Sequence, residues 1–433
     1  MAYGTFQRLG GHRVIGDSSF WVWTEENPNP KNDGDLYKTI GFVGGHVDDF
    51  NRAGDLQNEK WMKIRDEIDR AYKWGTMKTQ AYRHTGLDLE VQDQHGQRWI
   101  SINQDFYVET IADIAITPER LRGDPSSTLT SSEVAACRAT LGALQWCATQ
   151  TQLQICARVN LLLSELSANG NLQVAKEIQE LVREVRHAPT TLKLWRLDEV
   201  SHWQDVVVVT LADQAHANRP QGGSTGGLLC FLGGPQHFYG EAGKLNVVAW
   251  KTWKLRRKAI STNGGEIQSI LEGEDLCFRT RFLWAQLNGC CALKGNDLLH
   301  RANRMIHYVR GVLGTDSRGG YDAVIKNESP LLGLANARSA LQAYQLREQL
   351  DESGGKLIWV SGDWNLSDAL TKKCKTARQG LLQFLKTGTW KLTFDPQFFQ
   401  SERKNKALGQ SAIAQMRQLQ SLVPWSFDTF QDV

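Results

Sequence analysis

The run Asp205–Asp213, DVVVVTLAD, constrains this chain more than any other segment. Its β-branched residues follow one another without the apolar–polar alternation of a half-exposed strand, so the sequence predicts a strand buried on both faces and ending in an acid. Such a strand needs covering layers. Further strands are expected at 226–232, 246–260, 308–315 and 356–361. Between them lie a helix with the stripe Ile267, Ile270, Leu271, Phe278 and Phe282, a helix at 334–350 and a short helix from about Ser367. Strands first, then alternating helix and strand, predict a mixed α/β fold: one mixed sheet flanked by helices.

Upstream, YKTIGFVGGHVDDF at 37–50 predicts a hairpin with carboxylates near its tip. Residues 131–166 predict a helix with Val134, Cys137, Leu141 and Leu144 on one stripe, capped by Ser131 or Ser132, and a second helix follows at 172–186. The segment 187–203 breaks that pattern with Pro189 and two threonines. The expected division is an α+β region at 1–187, a linker at 188–204, a second domain at 205–380 and a tail at 381–433.

A chain of 433 residues with 41% hydrophobic and 22% charged residues can build two or three ordinary cores. Lys plus Arg number 50 against 47 acids, a net charge of +3, so any basic face must be local. No apolar stretch is long enough to cross a bilayer, and the first residues lack the apolar core of a signal peptide; an intracellular protein, cytoplasmic or nuclear, is expected. The cysteines 137, 147, 156, 230, 277, 290, 291 and 374 form no CxxC pair and read as buried free thiols.

Four acids fall at informative points: Asp213 at a strand end, Glu266 at a helix start, Asp316 at a later strand end and Asp368 at a late helix start. Phosphodiester hydrolysis needs an activated water and a stabilised leaving oxygen. Two divalent cations roughly 4 Å apart provide both, and hard cations want clustered carboxylates. Each acid also has a structural reading: Glu266 in a capping box with Asn263, Asp368 against a helix dipole, Asp213 and Asp316 at turns. Taken singly, those readings prevail; taken together, in this order, the catalytic one does.

The segments LADQAHANRPQGGSTGGLLCFL, VVAWKTWKLRRKAISTNGGEIQSIL, TDSRGG and SDALTKK resemble, in order and spacing, the successive blocks of copia-type retrotransposon ribonuclease H domains. The resemblance implies a ribonuclease H-like sheet and a site holding two Mg2+, with Mn2+ as a substitute, on Asp213, Glu266, Asp316 and Asp368. It also implies hydrolysis of the RNA strand of RNA–DNA hybrids. Thr262-Asn263-Gly264-Gly265 departs from the family's Ser-Thr-Glu-Ala run, and no histidine lies between Asp316 and Asp368.

GFVGGHVDDF resembles the YVDD block of copia-type reverse transcriptases, with His46 for the tyrosine and Arg52 at an apolar position. KWGTMKTQAYRHTGLDLE, SINQDFYVE and RATLGALQW continue that order to about Ser167. Residues 1–187 are thus similar to a partial reverse-transcriptase palm and thumb, in which Asp48 and Asp49 match metal-binding positions. With a third aspartate expected upstream, polymerase activity of this chain alone is not expected.

Lys251, Lys254, Arg256, Arg257 and Lys258, interleaved with Trp250 and Trp253, read as strand residues that contact nucleic acid, with a solvated basic hairpin as the other reading. The ribonuclease H resemblance implies that RNA–DNA hybrids are read through the minor groove and its 2′-hydroxyls, so binding without sequence preference is expected. Two rivals stay open: a DDE-type integrase or transposase using Asp316 and Glu352, and a nucleic-acid-binding remnant without catalysis.

Overall fold

The computed structural model describes residues 2–47, 49–290, 298–325, 334 and 337–392. Its central element is a six-stranded sheet built from β9 (Val207–Arg219), β10 (Gly223–Gly233), β11 (Gly243–Lys254), β12 (Arg310–Thr315), β13 (Lys356–Trp359) and β14 (Thr389–Trp390), in the order β13-β12-β9-β10-β11-β14. Strands β9, β10 and β11 form an antiparallel meander; β12 runs parallel to β9, and β13 parallel to β12. The mixed α/β expectation holds.

The apolar run of β9 has two covers. Val207, Val209 and Leu211 join one core with Leu229 and Phe231 of β10 and with the helices α5 (Ser131–Gln150), α6 (Cys156–Asn169) and α7 (Leu172–His187). On the opposite face, Ala212 packs with Leu228 and with Ile267 and Ile270 of α8 (Thr262–Leu287). A strand whose successive residues enter different cores has no room for alternation.

Around this sheet lie two four-stranded sheets. One joins β1 (His12–Arg13), β2 (Phe20–Glu26), β3 (Tyr37–His46) and β4 (Asp49–Gly54), and it packs with α1 (Ala2–Arg8) and α2 (Glu59–Ala71) through Phe6, Trp21, Trp23, Trp61 and Ile68. The other joins β5 (Ala81–His84), β6 (Leu87–Gln94), β7 (Gln97–Asn103) and β8 (Leu192–Trp195). Short helices α3 (Asp105–Thr110) and α4 (Pro118–Leu121) lead into α5, and α9 (Leu298–Ile306), α10 (Arg318–Ile325), α11 (Ala337–Ser353) and α12 (Lys375–Thr387) complete the chain's helices among the described residues.

Several boundaries differ from expectation for identifiable reasons. The long helix at 131–166 is two helices separated by a 3-10 turn at Leu153–Ile155, and its cap is Thr130, whose hydroxyl and Glu133 form a capping box. The stretch expected as a linker contains β8, which pairs with β7 and accepts Asn246 of β11 against the backbone of Trp195. The stretch expected as a tail contributes the end of α12 and strand β14, which pairs with β11 at Gly243 and Lys244; residues 393–433 lie outside the described residues. Residues 1–392 thus form one compact unit. The described cysteines are free and, except Cys374, buried; burial pushes the Cys147 and Cys156 thiols up to about 12. Cys291 lies outside the described residues. No described helix is long and apolar enough to cross a membrane.

Candidate metal centre

Strand register creates the site. The last ladder pair between β9 and β12 joins Ala212 to Thr315, so Asp213 and Asp316 each come one residue later on neighbouring parallel strands. Asp213 does not end its strand as expected: β9 continues to Arg219, still paired with β10 past the point where β12 stops. That overhang leaves Asp213 inside a ladder on one side and open toward Asp316 on the other.

Glu266 arrives from the first turns of α8. The competing capping-box reading is not what forms: the cap is Ser261, whose hydroxyl accepts from the Gly264 amide. Glu266 is therefore free to join the strand acids, and one carboxylate oxygen from each of Asp213, Glu266 and Asp316 lies within 4.8 Å of the others. The two glycines before it mark close packing: a Cβ on Gly265 would stand 2.6 Å from Gln214 Oε1. Gln214 is buried and donates to the Thr262 carbonyl at 3.2 Å, so the start of α8 is seated directly on β9.

The fourth acid comes on a tight 3-10 turn, Leu366–Leu370, rather than a regular helix. Gly227, the ladder partner of Asp213, makes room for this turn, since a Cβ there would meet the Ser367 carbonyl at 3.0 Å and Leu370 Cβ at 2.9 Å. The turn supplies a polar partner to each neighbouring acid. Thr371 Oγ1 donates to Asp213 Oδ2, Asn365 Nδ2 donates to Asp316 Oδ1 at 3.2 Å, and Lys372 Nζ donates to Asp368 Oδ1 at 2.6 Å. Asn365 is itself oriented by Ser367 Oγ at 2.5 Å, and Trp359 Nε1 holds the Asp316 carbonyl at 3.0 Å. Asp368 does not belong to the three-carboxylate group, although its charge is felt by Asp213 and Asp316.

Burial, and then the charges of Asp316 and Asp368, hold the Asp213 carboxyl well above the usual carboxylate range. Burial followed by Asp213 and Asp316 does the same to Glu266, and burial followed by Asp368 raises Asp316. For Lys372 burial opposes the charge, but Asp213, Asp368 and Asp316 together outweigh it and the ammonium is stabilised. Glu266 Oε2 is buried with no hydrogen-bond partner. Buried like charges and an orphaned carboxylate oxygen are what a hard cation relieves, so Asp213, Glu266 and Asp316 can hold a metal ion.

The remaining sequence expectations fare unevenly. Asp49 sits exposed at the start of β4, outside any described acid group of this kind, and Asp48 lies outside the described residues. Arg52, at the position where an apolar residue was expected, forms a two-pronged pair with Asp69 of α2. Glu352 is exposed near the end of α11 and is not in the acid group.

Among the basic residues, Lys251 and Lys254 lie on β11, but Arg256, Arg257 and Lys258 follow the strand's end on the connection to α8. Lys251 pairs with Glu272 at 2.9 Å and stands over the Trp253 ring at 4.8 Å; Trp250 is turned inward, its indole donating to the Ala148 carbonyl at 2.7 Å. Lys254, Arg256, Arg257 and Lys258 are exposed. Gln214, Asn365 and Thr371 were not singled out from sequence, because each acts through a partner far away along the chain. A hint was available only for Asn365, which precedes a Leu-Ser-Asp turn.

No protein-family model matches the chain, and no curated protein matches it. Among solved structures it is similar to the crystal structure of prototype foamy virus protease-reverse transcriptase, at 11% identity and a TM-score of 0.23, covering 77% of this chain and 43% of that one. The chain therefore spans less than half the length of that protein.

Proposed function

We propose that this chain is the trailing part of a copia-type retroelement polyprotein, and that it hydrolyses the RNA strand of RNA–DNA hybrids with a ribonuclease H-type site. The observation that carries this reading is the convergence of Asp213, Glu266 and Asp316 from two parallel strands and a helix start. The sheet order, with an antiparallel meander extended by two parallel strands and covered by helices, supports the ribonuclease H-like arrangement implied by the sequence blocks. The orphaned Glu266 oxygen and the raised carboxyls support a divalent cation, Mg2+ or Mn2+, as the site's occupant.

A bound divalent cation supplies Lewis acidity at the phosphoryl oxygen and lowers the pKa of a water. The chain's own residues do the positioning. Thr371 fixes one oxygen of Asp213 and Asn365 one oxygen of Asp316, leaving the carboxylates pre-oriented. Lys254, Arg256, Arg257 and Lys258 offer an exposed basic edge for backbone phosphates next to the start of α8.

The test uses the full chain, because α5–α7 and β14 cover parts of the sheet that a fragment would expose. A labelled RNA–DNA hybrid and single-stranded RNA are incubated with Mg2+ and either wild type or Asp213→Asn. Cleavage confined to the hybrid and lost in the variant is the expected result. A folded wild type that binds the hybrid without cutting it would replace this reading with a non-catalytic remnant.

A further inference from the structure

We propose that the side-chain amide of Gln214 positions Glu266 in the acid cluster, and that this arrangement requires glycine at position 265. The assignment rests on the reading of Asp213, Glu266 and Asp316 as metal ligands and deepens it by naming what orients the ligand that α8 supplies. The two strand acids take their partners from the turn at 365–371, where Thr371 bonds Asp213 and Asn365 bonds Asp316. Glu266 is served from β9 instead. Gln214 follows Asp213 on that strand, its backbone is fixed in the ladder opposite Gly226, and its side chain is buried. Its Nε2 donates at 3.2 Å to the carbonyl of Thr262, the first residue of α8 and four residues before Glu266. Burial, and then the charges of Asp213 and Asp316, disfavour the Glu266 carboxylate, and a hydrogen bond from the Gln214 side chain works against them. One amide thus engages both the backbone of the helix start and the carboxylate that leaves it.

Space decides whether the amide can stay there. A Cβ on Gly265 would lie 2.6 Å from Gln214 Oε1 and 2.8 Å from its Cδ, against 3.3 Å for the next neighbour, Ala259 Cβ. The backbone at Gly265 is not left-handed, so its conformation does not call for glycine, and inside a helix alanine is the better former. What excludes a side chain at 265 is therefore the Gln214 amide itself. Gln214 is a positioning residue in this arrangement, as a partner that orients a metal-binding carboxylate without touching the ion. Gly265 acts through Gln214, by leaving it room.

The full chain, with Mn2+ affinity read by equilibrium dialysis and hybrid cleavage resolved into kcat and KM, tests the assignment. Gln214→Met keeps the length and apolar stem of the side chain without its amide. It is expected to weaken Mn2+ binding by roughly 10- to 100-fold and to lower kcat, with KM within about twofold of wild type. Gly265→Ala is expected to lose as much, because the added methyl group displaces the amide. Combined with Gln214→Ala, the same Gly265→Ala change is expected to cost nothing further, since the group it collides with is gone. Wild-type Mn2+ affinity and kcat in Gln214→Met, or a double variant in which the two single losses add in full, would overturn the assignment while leaving the three-carboxylate site standing. If Gln214→Met does not fold, Gly265→Ala decides, and unchanged Mn2+ binding in it would refute the role. A wild type that binds Mn2+ without cleaving would fail the proposed activity alone, with Mn2+ affinity still carrying the comparison. No Mn2+ bound by a folded wild type would remove the site itself, and the assignment with it.

Discussion

The chain carries two aspartate motifs that look comparable on paper, and the structure treats them differently. At the hairpin of β3 and β4, the neighbouring acids are adjacent in sequence, and the described one, Asp49, is exposed to solvent. At the overhang of β9, Asp213 is 2% exposed and meets Asp316 and Glu266, which come from other elements. Adjacency along the chain yields an acidic tip; convergence from separate elements yields a desolvated cluster whose carboxyls are raised. The second arrangement concentrates unfavourable charge that protons or a cation can relieve, whereas Asp49 stands in the open.

The sharpest test of this contrast is a pair of substitutions. Asp213→Asn is expected to lower hybrid cleavage by on the order of 10³-fold or more, and Asp49→Asn to leave it within about twofold. Equal effects in the cleavage assay would erase the distinction between the regions.

Gly227→Val comes next. Its side chain would strike the Ser367 carbonyl and Leu370, so the turn bearing Asp368 and Lys372 must move; a stability loss of about 1–3 kcal/mol in denaturant unfolding is expected, together with weaker Mn2+ binding. Unchanged metal affinity would show that the turn does not support the cluster.

The raised carboxyls of Asp213 and Glu266 give a pH dependence with a defined sign. The folded state holds protons that the unfolded chain has released, so these groups stabilise the metal-free protein at low pH. That contribution is lost as pH rises from ~4 through their raised folded values. Thermal unfolding in chelator is expected to show this decline, added Mg2+ to reduce it and Asp213→Asn to flatten it. A decline identical in wild type and Asp213→Asn would place its cause outside the cluster.

The smallest effects concern the basic edge. Alanine at Arg256 or Lys258 is expected to reduce the slope of log affinity against log salt for hybrid binding by about 0.7–0.9 per lost phosphate contact. Lys251→Ala should change it less, since Lys251 is already paired with Glu272. A larger change at Lys251 would move the contact surface onto β11 itself.

Much of the central sheet was legible in the sequence because its strands are long and apolar, and the run at 205–213 announces burial on both faces. Their limits were less legible. Nothing local says that β9 outlasts β12 and so keeps Asp213 within a ladder, since that depends on a partner strand about a hundred residues away. Strands β8 and β14 are too short to display a period, and the sequence around them reads as linker and tail. The four acids could be named from their order, but the division among them could not. Asp368 lies outside the three-carboxylate group and pairs with Lys372, and α8, which carries Glu266, is capped by Ser261 rather than Asn263.

One core shared by Val207, Val209, Leu211 and Phe231 with helices α5–α7 has a further consequence. The two halves of the chain divide in sequence near residue 200, yet this core draws on both of them. A protease nick in the stretch between β8 and β9 would leave two pieces clasped together, and heating would release them in a single cooperative step rather than as independently melting modules.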